Sequence, residues 1–483
     1  MGPQPFPVIA GREKTIHTLR RRPQAPAMPT THSRLDGLQA AFACALHMHQ
    51  PTVPAGVDGA LISHLQYMFD RPGEGDNHNA EPFAQCYRRM ADLIPELINE
   101  GCNPKIMLDY SGNLLWGVVQ MGRDDITEAL RYLACDQQMQ RHVEWLGTFW
   151  SHAVAPSTPL PDLALQISAW QHQFADLFGD EALQQVQGFS LPEMHLPNHP
   201  DALFALVKAL KEAGYRWMLV QEHSVEQCNG TPLDPVQRYL PNQLVARNSC
   251  GEEVCITVLI KTQGSDTKLV GQMQPCYEAM GLTSQHLNGT AVPALVSQIA
   301  DGENGGVMMN EFPEAFRQAH RRVRDGDGKV TALNGSEYLA HLDALGAKEQ
   351  DYPRIQAVQQ QRLWQEVGET LHPDAVSTAI KALTSRDDGF SMQGASWTNN
   401  LSWVEGYGNV LDPMEALSAQ FHQRFDAAVA GDPSITATPA YQQALLCVLL
   451  LETSCFRYWG QGLWTEFAQE INRQGQSALA ADS

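Results

Sequence analysis

Gly188–Asp201, GFSLPEMHLPNHPD, is a short apolar approach that ends on one carboxylate, Glu193, held between Pro192 and Pro197. An acidic residue placed where a buried strand runs into a rigid turn costs free energy unless it has a partner or a task. The segment Pro293–Asn304, PALVSQIADGEN, repeats the design: an apolar run breaks at Asp301, with Gly302 directly after it. Two carboxylates at the C-terminal ends of strands can meet over the mouth of a parallel barrel, the arrangement that hydrolysis of a glycosidic bond requires.

The remaining strands read outward from this pair. Leu38–Leu46 is a near-continuous apolar run, as expected of a strand buried on both faces, and it exits into His47-Met48-His49-Gln50-Pro51. Ile106–Tyr110 and Glu144–Phe149 give strands two and three, the latter releasing Trp150, Ser151 and His152. Gln187–Leu191 is strand four and Tyr215–Val220 strand five, which delivers Gln221, Glu222 and His223. Val254–Ile260 is strand six, with an antiparallel pairing to a neighbouring hairpin as its alternative, and Ala294–Ile299 is strand seven. Helical patterns separate most of them, for example Asp201–Ala213 with Leu203, Leu206, Val207 and Leu210 on one face and Gly214 as its stop. Strand–helix alternation implies right-handed crossovers closing into a barrel, with the polar clusters at the strand exits where such barrels do chemistry. Beyond Tyr352 the pattern is helical over Arg354–Glu369, Asp374–Thr384, Pro413–Ala430 and Tyr441–Asn472. The expected organisation is therefore a disordered basic, Pro-rich tail over 1–35, a catalytic barrel over 36–350 and an all-α C-terminal domain over 351–483.

The chain of 483 residues carries 54 acidic against 33 basic residues, a net charge of −21, and so repels phosphate backbones and anionic membranes. Neither nucleic acid nor a membrane is an expected partner; the apolar run Ala444–Leu451 is far too short to span a bilayer. The ten cysteines form no CxxC pair, which favours reduced thiols, a cytoplasmic location and no zinc–thiolate site. Asp325-Gly326-Asp327-Gly328 places its glycine wrongly for a calcium loop.

Retaining hydrolysis needs a nucleophilic carboxylate and a second carboxyl group acting as acid and then base, about 5 to 5.5 Å apart. Glu193 is assigned as the nucleophile and Asp301 as the acid/base; the plain alternative makes them turn residues. His47 and His49 lie two apart on a strand and so point the same way, suited to a sugar hydroxyl or to a metal ion. The metal alternative, an amidohydrolase-type site, would recruit His47, His49, His152, His223 and Asp301. Trp397 and Trp403, on the loop Ser396–Tyr407, are candidate stacking platforms for sugar faces, with core packing as their alternative.

Six segments, HMHQP at His47–Pro51, LDYSGNLL at Leu108–Leu115, TFWSHAVAP at Thr148–Pro156, GFSLPEM at Gly188–Met194, KEAGYRWMLVQE at Lys211–Glu222 and IADGENGG at Ile299–Gly306, resemble glycoside hydrolase family 57 in order and spacing, and CFRYWGQGLW at Cys455–Trp464 is similar to its helical region. The resemblance implies an incomplete (β/α)7 TIM-like barrel followed by an all-α C-terminal helical domain. It also implies retaining action on α-linked glucans such as starch, glycogen or maltodextrin, as α-amylase, 4-α-glucanotransferase or branching enzyme, with no metal and no organic cofactor. By the resemblance Glu193 and Asp301 are catalytic, while His47, His49, Gln50, His152 and Trp403 bind substrate. Ser190 and Gly305 depart from the family pattern and open space around the cleaved subsite, which leaves a catalytically weak glucan-binding homologue as a further alternative.

Overall fold

The structure, a computed structural model, describes residues 6–22, 37–262, 267–303, 307–394, 408–458 and 462–481. Seven parallel strands form the central sheet: β1 (Ala40–Met48), β2 (Ile106–Tyr110), β3 (Val143–Gly147), β4 (Gly188–Phe189), β5 (Trp217–Gln221), β6 (Glu253–Lys261) and β7 (Ala294–Asp301). Their order is β7-β1-β2-β3-β4-β5-β6, and β6 meets β7 again through one residue pair, Lys261 with Ser297. The sheet is thus a closed (β/α)7 barrel with a thin seam. After it comes a helical C-terminal part, Gly408–Gly431, Pro439–Leu451, Ser454–Tyr458 and Leu463–Ala480.

Period-two alternation decides what faces inward. Ala41, Ala43 and Ala45 of β1 share one buried cluster with Met107, Leu146, Trp217, Leu219, Leu259, Leu295 and Ile299, which fills the barrel. The intervening residues, such as Phe42, Leu108, Met218, Ile260 and Val296, pack outward against the helices. Each fully buried large apolar side chain contributes roughly 1.5–3 kcal/mol. Continuing the inward series by one step along each strand reaches His47, Asp109, Gln221, Lys261 and Asp301, all at the C-terminal rim.

Three expectations need correction. Strand six takes both of its readings: it is parallel to β5 and antiparallel to Asn242–Arg247, which replaces a helix in the β5–β6 connection. Residues 354–357, expected as the start of a helix, form a strand that pairs with Asn242–Arg247 and with Val225–Gln227, so sheet structure continues past position 350. The segment expected to be a disordered tail contains a helix, Glu13–Arg20, with Ile9, Ile16 and Leu19 buried. Its basic side chains are used: Arg20 is 4% exposed and donates to the carbonyls of Leu183, Ala213 and Gly214. Those carbonyls lie near helix ends, where such groups lack partners within the helix.

Candidate active site

The site is built around His47. Register pairs it with Asp109 on one side and with Asp301 on the other, and all three face inward. Its Nδ1 lies 3.1 Å from Asp109 Oδ2 in an ion pair that is almost fully buried. Its Nε2 lies 2.6 Å from His152 Nε2. Burial alone would strip His47 of its proton, but the ion pair with Asp109, helped by Asp301 and Glu193, raises its pKa to about 9. His152 is pushed well below the ordinary imidazole value by burial and by its two histidine neighbours. Since one of two facing Nε2 atoms must donate, these directions assign the proton. His47 is the imidazolium, ion-paired through Nδ1 with Asp109 and donating from Nε2 to a neutral His152, whose Nδ1–H then donates to Ser454 Oγ at 2.5 Å.

Glu193 arrives from the turn after β4. Its Oε1 is 3.9 Å from His152 Nδ1, and its side chain is 11% exposed. The turn is strained: Glu193 has φ 57° and Met194 φ 50°, and across the site His152 has φ 63°. Left-handed backbone at residues other than glycine persists only where surrounding structure enforces it, and it concentrates at functional sites. Ser190, fully buried, sets its hydroxyl 3.9 Å from Met194 Sδ beneath this turn.

His49 lies one residue beyond β1. Its ring stacks on His152 at 4.0 Å between centroids, with Ser111 Oγ 2.8 Å from Nδ1 and Cys455 Sγ 3.4 Å from Nε2. Its backbone N–H donates to Glu303 Oε1 at 3.0 Å. Burial raises Asp301, and it raises Glu303 to about 8, so these carboxyls retain protons to higher pH than free ones. Gly302 lets the chain turn here, since a Cβ would strike the Met48 side chain, and its N–H donates to the His47 carbonyl at 2.8 Å.

The structure therefore gathers His47, His49, His152, Glu193 and Asp301 at one rim. Gln50 stands at the edge, with Oε1 3.4 Å from His64 Nδ1. Trp397, Trp403 and Gly305 lie outside the described residues. His223 meets Gln221 at 3.0 Å and lines a cavity with Glu222 and Glu226. Both nitrogens of His47 are engaged, and among the described residues no three His, Cys, Asp or Glu side chains are arranged to hold a metal ion.

Sequence reasoning missed Asp109, Glu303, Ser454 and Cys455. Asp109 had a signal, as the one charge in the five-residue strand IMLDY on the inward parity. Ser454 had none, because the expected helix Tyr441–Asn472 runs straight through it. That helix is in fact broken: Pro439–Leu451 ends before Glu452 and Thr453, Thr453 bridges to Ala153, and Ser454 is thereby turned onto His152.

Residues 43–250 match the family model described as glycosyl hydrolase family 57. That segment is a family 57 domain. It spans β1 to β5 and carries His47, Asp109, His152 and Glu193, and it ends before Asp301. Among solved structures, the 4-alpha-glucanotransferase of Thermococcus litoralis is similar at 16% identity and a TM-score of 0.55, over 92% of this chain and 59% of that one. The GH57-type branching enzyme of Pyrococcus horikoshii is similar at 12% identity and a TM-score of 0.51, over 92% and 88%. The GH57 branching enzyme of Thermococcus kodakaraensis, solved with glucose, gives 12%, 0.50, 91% and 88%. This chain thus spans about three fifths of the glucanotransferase, 59%. These likenesses establish the fold around the family 57 domain, a (β/α)7 barrel with a helical C-terminal domain. No curated protein matches the chain.

Proposed function

We propose that the chain is a retaining glycoside hydrolase or transglycosylase acting on α-linked glucans, with Glu193 as nucleophile and Asp301 as acid/base. The observation that carries this reading is the placement of both carboxyl groups around one imidazolium, His47, at the rim of a family 57 barrel. The glucan substrate class follows from the enzymes the fold resembles, a 4-alpha-glucanotransferase and two branching enzymes.

In the first step the Glu193 carboxylate attacks the anomeric carbon while Asp301 gives its proton to the departing glycosidic oxygen. One C–O bond forms as another breaks. In the second step Asp301, now a carboxylate, takes a proton from water or from a sugar hydroxyl, whose oxygen displaces Glu193. Burial favours a protonated Asp301 at the start, as an acid requires. The positive charge of His47 favours an ionised Glu193 and opposes the negative charge that Asp301 acquires. Whether water or sugar enters decides between hydrolysis, transfer and branching.

The test is incubation with maltoheptaose and with amylose, followed by product sizing and linkage analysis, together with trapping by a 5-fluoroglucosyl fluoride. New chain lengths and a glucosyl adduct on the peptide containing Glu193 are expected. Binding of maltodextrin with neither product nor adduct would instead support the glucan-binding homologue.

A further inference from the structure

His152 stands on a turn whose left-handed backbone, φ 63°, surrounding structure must enforce. Ser454 does so from one side: its N–H donates to the His152 carbonyl at 2.9 Å, and its hydroxyl accepts from the ring. Gln166, fully buried on the helix Leu160–Phe178, does so from the other. Its backbone carbonyl accepts from the Trp150 N–H at 3.3 Å, its Oε1 accepts from the Ser151 N–H at 2.9 Å, and its Nε2 donates to Ser151 Oγ at 2.8 Å.

The same amide reaches the helical C-terminal part. Gln166 Nε2 also donates to Glu452 Oε2 at 2.6 Å. Glu452 is fully buried, caps the helix Pro439–Leu451 and lies two residues before Ser454. Asp162, one helical turn before Gln166 and on the same face, is hydrogen-bonded to Glu452 as well. Two carboxyl groups can share a hydrogen bond only if one of them keeps its proton. Asp162 already accepts from the Ser418 hydroxyl at 2.5 Å and from His422 Nε2 at 2.6 Å. Burial would raise its pKa, but the hydrogen bonds from His422, Glu452 and Ser418 hold it below the usual carboxylate range. Asp162 is therefore the carboxylate. Glu452 is the neutral acid, a donor toward Asp162 and an acceptor from Gln166.

We propose that Gln166 and Glu452 are positioning residues that act on the reaction through His152: the neutral Glu452 acid joins Asp162 to Gln166 and so fixes the turn Trp150–His152 against the segment Glu452–Ser454. The proposal rests on the reading of the rim as catalytic. His422, Asp162, Glu452, Gln166 and Ser151 then form one hydrogen-bonded line from the helical part to the residue next to His152. Apolar packing would fasten the same two parts with a smaller desolvation penalty than a buried carboxyl pair. It would not fix the direction of the Ser151 N–H and hydroxyl, and through them the plane of the neighbouring imidazole.

Nitrogen–proton NMR of histidine-labelled protein tests this, the His152 signals being those missing from His152→Gln. Wild type should show His152 as the Nδ1–H tautomer, with Nε2 bare. Glu452→Leu and Gln166→Met should each turn that pattern into an average of the two tautomers and lower kcat about tenfold on amylose with KM nearly unchanged. Gln166→Met leaves the contact between Glu452 and Asp162 whole, and so gives the answer if Glu452→Leu does not fold. Glu452→Gln, in which an amide can still donate to Asp162 and accept from Gln166, should keep the wild-type pattern and about half or more of the turnover. A loss in Glu452→Gln equal to that in Glu452→Leu, or a His152 pattern that Gln166→Met leaves unmoved, would overturn the proposal. Absence of glucan turnover in wild type, with the His152 pattern responding as described, would overturn the catalytic reading alone.

Discussion

His47 and His422 are the same device put to two uses. Each imidazole faces a fully buried aspartate, Asp109 at 3.1 Å and Asp162 at 2.6 Å, and in each the aspartate raises the imidazole against a burial that would lower it. They differ in what lies beyond. The second nitrogen of His422 meets Asp426, which is 64% exposed, and the pair joins the helix Leu160–Phe178 to the helix Gly408–Gly431. The second nitrogen of His47 meets another imidazole, with Glu193 and Asp301 close enough to feel the charge. A buried ion pair whose outer partner is an exposed surface carboxylate, as in His422, fastens two elements together; one whose outer partner is a buried imidazole at the barrel rim, as in His47, is placed to set the electrostatics of the carboxyl groups around it.

The sharpest break in this contrast is Glu193→Gln, which should reduce turnover of amylose roughly 10³-fold or more while leaving the thermal midpoint nearly unchanged. Near-normal turnover would end its assignment. Asp301→Asn should reduce turnover roughly 10²- to 10⁴-fold on amylose. The loss should be much smaller on an aryl glucoside, whose leaving group needs no proton; equal losses on both substrates would argue against an acid role.

His47→Leu strands Asp109 as a buried charge and should destabilise the fold by about 3–5 kcal/mol, whereas His422→Leu, which leaves Asp162 its bond from Ser418, should cost about 1–3 kcal/mol. Denaturant titration of the two variants reads the difference, and reversal of the order would refute the distinction drawn here. The clasp also has a pH signature. Because the folded pKa of His422 is raised above its unfolded value of about 6.5, its contribution is full below that pH and is lost as the pH rises through the folded value. The stability gap between wild type and His422→Leu should therefore be widest in mild acid and should close in alkali. Ser454→Ala is the smallest change: losing the acceptor for His152 should lower turnover about fivefold with little effect on stability.

The barrel was legible in the sequence because its evidence is local. Apolar runs ending in polar clusters mark the strands to within a few residues and put His47, Glu193 and Asp301 at strand exits, whereas Asp109 is found only when period-two parity is carried along IMLDY. The contribution of Ser454 was not legible. It depends on a helix breaking at Glu452 and Thr453, within a segment whose composition favours helix throughout, and tertiary contacts override that preference. The docking of residues 6–22 was hidden for a related reason. Arginine reads as solvated unless the carbonyls it reaches are known, and those reached by Arg20 come from segments distant in the chain.

That docked segment ties together more than its length suggests. Arg12 grips Asp180 beside the barrel, while Glu13 accepts from the Thr436 hydroxyl and the Ala10 carbonyl accepts from Gln442, both in the helical part. A version trimmed at residue 36 to remove what composition marks as a floppy leader would therefore cut a strap between barrel and helices, removing Ile9, Ile16 and Leu19 and uncovering the surfaces they cover. Poor yield or clumping of such a version would report the loss of that strap and would say nothing about the chemistry at the rim.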